Sequence, residues 1–287
     1  MALRAVVFGA GGLLGRELAR TLAVGANKVQ ALLREECDIA SAAAVERAIA
    51  DLAPDVLFNA AAYTDVDGAE RDPRRAYAAN ALGPAVLAAY ARAHGARLVH
   101  VSTDYVFAGD RETPYTELDR PAPRGGVYAL SKLAGEEAAL GSGADAIVVR
   151  TAWVFGPGGK NFVSRMPALL REGRLREAVE DQWSSPTLAS DLAPKLVELA
   201  LRAGGRLFHV VNPGAPSYLD VARLIASQLG LDAYAIGGVA GATLARAAPR
   251  PRYSALESLA LPAEGFASLR PFEDAVEAFV KGERAPA

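Results

Sequence analysis

The chain has 287 residues, 51% of them hydrophobic and 22% charged, with a formal net charge of -2. Such a length carries a sizeable core, and the near-neutral balance gives no broad attraction to nucleic acid or to an anionic membrane. The lone Cys37 excludes an internal disulfide, no uncharged run reaches the length of a membrane span, and His94, His100 and His209 lack the spacing of metal ligands.

Leu3–Phe8 is a continuous apolar strand, followed by a glycine turn and a helix over Leu13–Ala23. Lys28–Leu33 reads as a second strand and Ala42–Leu52 as a second helix. Pro54 introduces a buried third strand at Asp55–Asn59. Pro73–His94 reads as one long helix with proline near its start, and Arg97–Ser102 as a fourth strand. Val127–Leu140 is helical, and Ala146–Arg150 closes the series as a fifth strand. Strand and helix thus alternate every 25 to 30 residues or so, as in stacked βαβ units. Strands apolar along their whole length belong in a parallel sheet covered on both faces. The expected fold is therefore α/β, a doubly wound parallel sheet of Rossmann type with right-handed crossovers.

Beyond Thr151 the rhythm loosens. Gly156–Gly159 is a turn, Phe162–Arg171 a helix, and Gln182–Thr187 an irregular loop. Leu188–Arg202 is helical, and Leu207–Asn212 is a strand placed to rejoin the main sheet. Ser217–Leu229 has a helical period with Ser217 as its N-cap. A last short helix falls near Phe272–Val280, before a frayed tail at Glu283–Ala287. This pattern divides the chain into a dinucleotide-binding domain, residues 1–151 with about 188–212, and a smaller C-terminal substrate-binding lobe, about 152–187 and 213–287.

Gly9-Ala10-Gly11-Gly12-Leu13-Leu14-Gly15 lies between the first strand and first helix. Gly9 permits a tight turn, Gly12 lets backbone approach a pyrophosphate, and Gly15 allows close helix packing. The helix end at Leu13 and Leu14 then presents unpaired N–H groups to the phosphates. The second strand ends at Leu33-Arg34, where an NAD-selective site would place an acidic residue. Arg34 suits a 2′-phosphate and favours NADP(H), yet Glu35 and Glu36 follow directly and leave the choice open. Asp38 and Ile39 fall where the chain could run beside an adenine; capping of the next helix by Asp38 or Ser41 is an equal alternative.

Asn59-Ala60-Ala61-Ala62-Tyr63 and Ser102-Thr103-Asp104-Tyr105-Val106-Phe107 follow the third and fourth strands directly, at the sheet edge where such folds bind ligands. Tyr128 and Lys132 stand one helical turn apart, about 6 Å along the axis. A cation beside a phenol pulls its pKa down from about 10, which would make Tyr128 a general acid or base near neutrality. Thr103 adds a hydroxyl facing the same crevice.

Six motifs in this order, GAGGLLG from Gly9, PDVLFNAAAYTDVDGAE from Pro54, HVSTDYVFAG from His100, YALSKLAGE from Tyr128, RTAWVFGPGGKNFV from Arg150 and EDQWSSPT from Glu180, are familiar. With them the chain resembles the extended short-chain dehydrogenase/reductases, and among those the dTDP-4-dehydrorhamnose reductase family. A weaker echo occurs at Pro249-Arg250-Pro251-Arg252-Tyr253-Ser254. The resemblance implies reduction of a nucleotide-activated 4-keto-6-deoxy sugar by NADPH or NADH. It implies that Tyr128 protonates the sugar oxygen, Lys132 binds the nicotinamide ribose, and Thr103 holds the substrate oxygen. Gly9, Gly12, Leu13, Leu14, Gly15, Arg34, Asp38, Ile39, Ala60, Ala61, Ala62, Tyr63 and Asn80 would then belong to the cofactor site. Asp104, Tyr105, Val106, Phe107, Trp153, Asn161 and Gln182 fall in segments that line the sugar pocket.

Ala129 stands where relatives have glycine, and Trp183-Ser184-Ser185-Pro186 lacks an expected glycine before the proline. Certain relatives bind Mg2+ between subunits, but no carboxylate cluster locates a metal site here. The implied partners are a nucleotide sugar and a second copy of the chain as a homodimer, with no nucleic acid and no membrane. The apolar run from Ala5 ends in glycines, so no secretory leader is expected and the default location is cytoplasmic. Two alternatives stay open: another sugar-nucleotide epimerase or reductase on the same fold, and a non-catalytic regulatory subunit that binds NADP(H).

Overall fold

The five strands expected in the first half become neighbours in one parallel sheet in a computed structural model that describes residues 2–24 and 27–284. The first half runs β1 (Arg4–Phe8), α1 (Leu13–Leu22), β2 (Lys28–Leu32), α2 (Ala42–Ile49), β3 (Val56–Asn59), α3 (Val66–Arg71), α4 (Pro73–Tyr77), α5 (Gly83–His94), β4 (Arg97–Thr103), α6 (Val127–Gly141) and β5 (Asp145–Thr151). The remainder runs β6 (Val154–Phe155), α7 (Phe162–Arg171), β7 (Glu177–Val179), β8 (Thr187–Leu188), α8 (Ala189–Arg202), β9 (Leu207–His209), α9 (Tyr218–Gln228), β10 (Gly237–Val239), α10 (Ala260–Ala263) and α11 (Phe272–Arg284). Of the expected tail, Glu283 and Arg284 continue α11, and residues 285–287 lie outside the described residues.

The sheet order is β2-β1-β3-β4-β5-β9, with every pairing parallel. Helices α1 and α8 cover one face through Leu14, Leu18, Leu22, Leu192, Leu196 and Leu199. Helices α2, α5 and α6 cover the other through Val45, Ile49, Leu87, Tyr90 and Ala139. The chain leaves β1 toward β2 on one side and reaches β3 on the other. That reversal opens a crevice at the carboxyl ends of β1 and β3, the place where such sheets bind ligands. A third core built on Phe155, Met166, Ile225, Val276 and Phe279 holds α7, α9 and α11 together. A small fourth cluster, with Val106, Phe107, Tyr115, Ala152, Val211 and Leu256, lies where these units meet.

Several differences from the sequence-based elements have local causes. The helix expected over Pro73–His94 is interrupted by a π-helical turn at Ala78–Leu82. Pro84 has no N–H to give the carbonyl four residues back, that of Asn80, and the ladder widens there. Helix α3 was not expected; it is short and carries Gly68, but Asp65 caps it by accepting from the Gly68 N–H at 2.8 Å. The pairing of β7 with β10 joins segments some sixty residues apart, which no local pattern announces. Ser217 caps α9 as expected, in a reciprocal box with Asp220.

Candidate active site

The glycine turn is shaped as a phosphate cradle. Gly9 has φ +80°, and a Cβ on it would lie 2.6 Å from the Ala61 nitrogen. A Cβ on Gly15 would fall well inside contact with the Gly9 carbonyl oxygen, so strand and helix meet closely there. Gly12 is the N-cap of α1 and supplies no side-chain cap, leaving the first-turn N–H groups and the positive helix end to a ligand. Leu13 is half-buried beside this turn, whereas the Leu14 side chain packs in the core and only its backbone belongs to the cradle.

Arg34 is exposed at the end of β2, and with Asp38, Ile39 and Ala60–Ala62 it borders a hollow of about 200 Å³ that opens on Gly9 and Gly12. Glu36, one of the two acidic residues after Arg34, is turned back on its own loop, accepting from the Leu33 N–H at 2.7 Å. Ser41 caps α2, and Asp38 takes the Ala40 N–H at 3.0 Å. Arg75 and Cys37 also line the hollow, and neither was among the site residues expected from the sequence. The Arg75 guanidinium lies over the Tyr63 ring at 5.5 Å, brought there by α4 from outside every recognised motif.

Asn80 makes no opening toward this hollow. It is fully buried, accepting from the Tyr63 N–H at 2.8 Å and donating to the Tyr63 carbonyl at 3.1 Å and the Ser131 hydroxyl at 3.0 Å. Its expected place among cofactor contacts is therefore corrected: it positions the Tyr63 loop and α6. Ser131 passes the tie on by donating to the Tyr128 carbonyl at 2.9 Å. A buried ion pair of Glu136 with Arg150, 2.7 Å, fixes the same helix to β5.

Tyr128 is half-buried at the start of α6, edge-on to the Tyr105 ring, with its hydroxyl in hydrogen-bonding reach of Thr103. Lys132 is buried one turn later and donates to the Val101 carbonyl at 2.7 Å. Burial presses the Lys132 ammonium down to about 8, with Glu136 pulling the other way. The phenol pKa is not depressed as the spacing suggested. Burial pushes it up to about 12, Thr103 lowering it and Asp104 raising it further. Lys132 spends its charge on a strand carbonyl, so Tyr128 is held protonated, the state an acid must start from.

On the lobe side, Trp153 adopts φ +38°, a left-handed conformation costing a bulky residue on the order of 1–2 kcal/mol. It stacks on Tyr218 at 3.6 Å between ring centroids. Gln182 accepts from Arg246 at 2.9 Å, and Arg250 pairs with Asp67 of α3 at 2.8 Å, tying the 248–254 segment to the sheet edge. Four residues expected to line the sugar pocket have other work. Val106 and Phe107 are fully buried in the fourth core cluster, Phe107 stacked on Tyr115 at 4.3 Å. Asn161 caps α7 by accepting from the Ser164 N–H at 3.0 Å and donates to the Val154 carbonyl at 2.9 Å. Asp104 is buried among hydroxyls, two of them from Ser184 and Ser254. The serine in place of the expected glycine before Pro186 is no misfit, for neither Ser184 nor Ser185 has a positive φ. Among the described residues no group of three or more His, Cys, Asp or Glu could hold a metal ion.

Comparisons bear on this geometry. A family model described as the RmlD substrate binding domain matches residues 3–284. A dTDP-4-dehydrorhamnose reductase of Mycobacterium tuberculosis (strain CDC 1551 / Oshkosh) is 45% identical over 95% of this chain and 91% of its own length. A probable dTDP-4,6-dihydroxy-2-methyloxan-3-one 4-ketoreductase of Streptomyces antibioticus is 39% identical over 96% and 95%. A crystal structure of dTDP-4-dehydrorhamnose reductase from Bacillus anthracis in complex with NADP superposes with a TM-score of 0.93 at 33% identity, covering 98% of this chain and 100% of that one.

Proposed function

This chain belongs to the RmlD substrate binding domain family, and on that footing we propose that it reduces the 4-keto group of dTDP-4-dehydro-L-rhamnose to dTDP-L-rhamnose. The reaction uses NADPH or NADH, and Arg34 and Arg75 at the hollow beside Gly9 favour the 2′-phosphate of NADPH. Gly9, Gly12 and the uncapped end of α1 hold its diphosphate. When bound, the nicotinamide supplies a hydride to the carbonyl carbon. Tyr128 gives the phenolic proton to the carbonyl oxygen as negative charge develops there. Lys132, which donates to the Val101 carbonyl, would exchange or share that bond with the nicotinamide ribose when the cofactor binds, and Thr103 would sit beside the reacting oxygen. Residues of about 152–187 and 213–287, with Trp153, Tyr218 and Gln182, form the lobe that excludes water. Cytoplasmic action as a homodimer completes the proposal; solution mass decides the second point. No helix among the described residues is long and apolar enough to cross a membrane.

Tyr128, edge-on to Tyr105 with its hydroxyl in reach of Thr103 and one turn from buried Lys132, is the observation that carries the acid role. Replacing Tyr128 by Phe leaves NADPH affinity within about threefold and removes 10²–10⁴ of turnover, the usual reach of general acid catalysis. A Y128F enzyme within tenfold of wild type discards that role.

A further inference from the structure

The Asp104 carboxylate is 2% exposed, yet among the described residues no cation pairs with it. Its side-chain hydrogen-bonding partners are hydroxyls: the adjacent Thr103 at 2.9 Å on one oxygen and, on the other, Ser184 at 3.0 Å and Ser254, 80 and 150 residues away. The two serine hydroxyls are themselves 3.1 Å apart. A hydroxyl has a single proton and two lone pairs. Thr103 spends its proton on Asp104, and one lone pair takes the Tyr105 N–H at 3.2 Å. What remains to face Tyr128 is a lone pair. While Asp104 is ionised, Thr103 therefore only accepts, and it offers nothing to the oxygen of a ketone.

Protonation of Asp104 changes this. A neutral carboxyl is itself a donor, and by donating to Thr103 it releases the threonine proton. We infer that Asp104 is a positioning residue whose protonation sets whether Thr103 accepts from Tyr128 or donates to the carbonyl oxygen, the neutral form being the one that reduces the ketone. The inference rests on the assignment of Thr103 and Tyr128 to that oxygen. No bond to substrate is made by Asp104; it binds one proton from solvent, and a hydroxyl rotates.

Both forms exist near neutrality, since burial lifts the carboxyl to about 6 against the pull of its three hydroxyls. Other titratable groups face this spot. The phenols of Tyr105, Tyr128 and Tyr218 are raised by burial and by Asp104 itself, with Arg246 and Arg250 opposing at Tyr218 and Arg250 at Tyr105. Buried His100, on the strand that ends at Thr103, is held neutral by burial, well below its usual range. Lys132 titrates near 8, on the alkaline side. Asp104 is the group placed to respond between pH 5 and 7.

The test is the pH dependence of kcat for ketone reduction by wild type, D104N and S254A, with NADPH binding measured on each by fluorescence to show an intact cofactor site. Wild-type kcat falls about tenfold or more as pH rises, with a midpoint at or above about 6, because a bound sugar deepens the burial of Asp104. In D104N the amide donates to Thr103 at every pH, so kcat stays flat within about twofold from pH 5 to 7.5. In S254A the carboxylate loses a donor, and the limb moves to higher pH by half a unit or more. A flat wild-type profile, a D104N profile with the same limb, or an S254A limb that does not move overturns the inference; where D104N fails to fold, the S254A limb decides. Failure of the underlying assignment looks different, since Y128F would then turn over normally whatever Asp104 does.

Discussion

Replacing Asn80 by Ala removes a wholly buried side chain that ties the Tyr63 loop to α6, and both stability and catalysis should respond. The amide is wholly buried and makes three hydrogen bonds, to the Tyr63 N–H, the Tyr63 carbonyl and the Ser131 hydroxyl, at 2.8, 3.1 and 3.0 Å. Ser131 keeps a partner in the Tyr128 carbonyl, so its loss is about 1 kcal/mol. The two Tyr63 backbone groups are left without the amide, at about 1–3 kcal/mol each. The whole comes to about 3–7 kcal/mol, a large part of the 5–15 kcal/mol typical of a native domain. For a chain of this size that lowers the melting temperature by roughly 6–15 °C. The same substitution frees α6 at the turn that carries Tyr128. A displacement of about 1 Å at a reacting group costs up to 10²-fold in rate, so kcat falls by 10- to 100-fold while NADPH binding changes little. Thermal unfolding followed by circular dichroism reads the first effect. Initial rates of NADPH oxidation, taken well below the melting temperature, read the second. A variant melting within 2 °C or so of wild type with an unchanged kcat would refute the reasoning about both Asn80 and the helix it holds.

Three further outcomes follow from the site. Glu136→Ala leaves the Arg150 guanidinium buried and unpaired, and denaturant unfolding should show a loss of about 3–5 kcal/mol. Arg34→Ala weakens NADPH binding by about 10- to 100-fold and NADH binding by less than about threefold in fluorescence titrations; equal effects on both would remove Arg34 from the 2′-phosphate. Asp104 gives a stability signature separate from catalysis. Its folded pKa, about 6, lies above the ordinary aspartate value of about 4, so its contribution to stability is full below about pH 4 and is lost as pH rises through about 6. The difference in unfolding free energy between D104N and wild type should therefore shift by about 3 kcal/mol in favour of D104N between pH 4 and 8. A difference independent of pH contradicts the burial argument.

What could be read from the sequence was local and periodic. Each strand of the main sheet up to β5 announced itself as a short apolar run, and the glycine turn and the Tyr128/Lys132 spacing lie within single segments. The Asp104 cage could not be read so, because Ser184 and Ser254 reach it from 80 and 150 residues away. Arg75 was hidden for a related reason: its place over Tyr63 depends on how α3 and α4 follow β3, and α3 was not expected from the sequence. Two readings failed on physics rather than on distance. The Tyr128 pKa was expected to fall because a lysine stood four residues on, but that lysine is committed to the Val101 carbonyl and burial dominates. Val106 and Phe107 were expected to face the sugar because their segment leaves a strand at the binding edge. Their hydrophobic side chains instead fill the core where the lobe meets the sheet.

The central claim is tested most directly by mixing the purified protein with dTDP-4-dehydro-L-rhamnose and NADPH, following absorbance at the nicotinamide band and identifying the sugar product. The account predicts one NADPH consumed per dTDP-L-rhamnose formed, with the signal abolished by Tyr128→Phe. Conversion of the sugar without net NADPH oxidation, or no conversion in the presence of bound NADPH, would contradict it, the first in favour of an epimerase and the second in favour of a regulatory subunit.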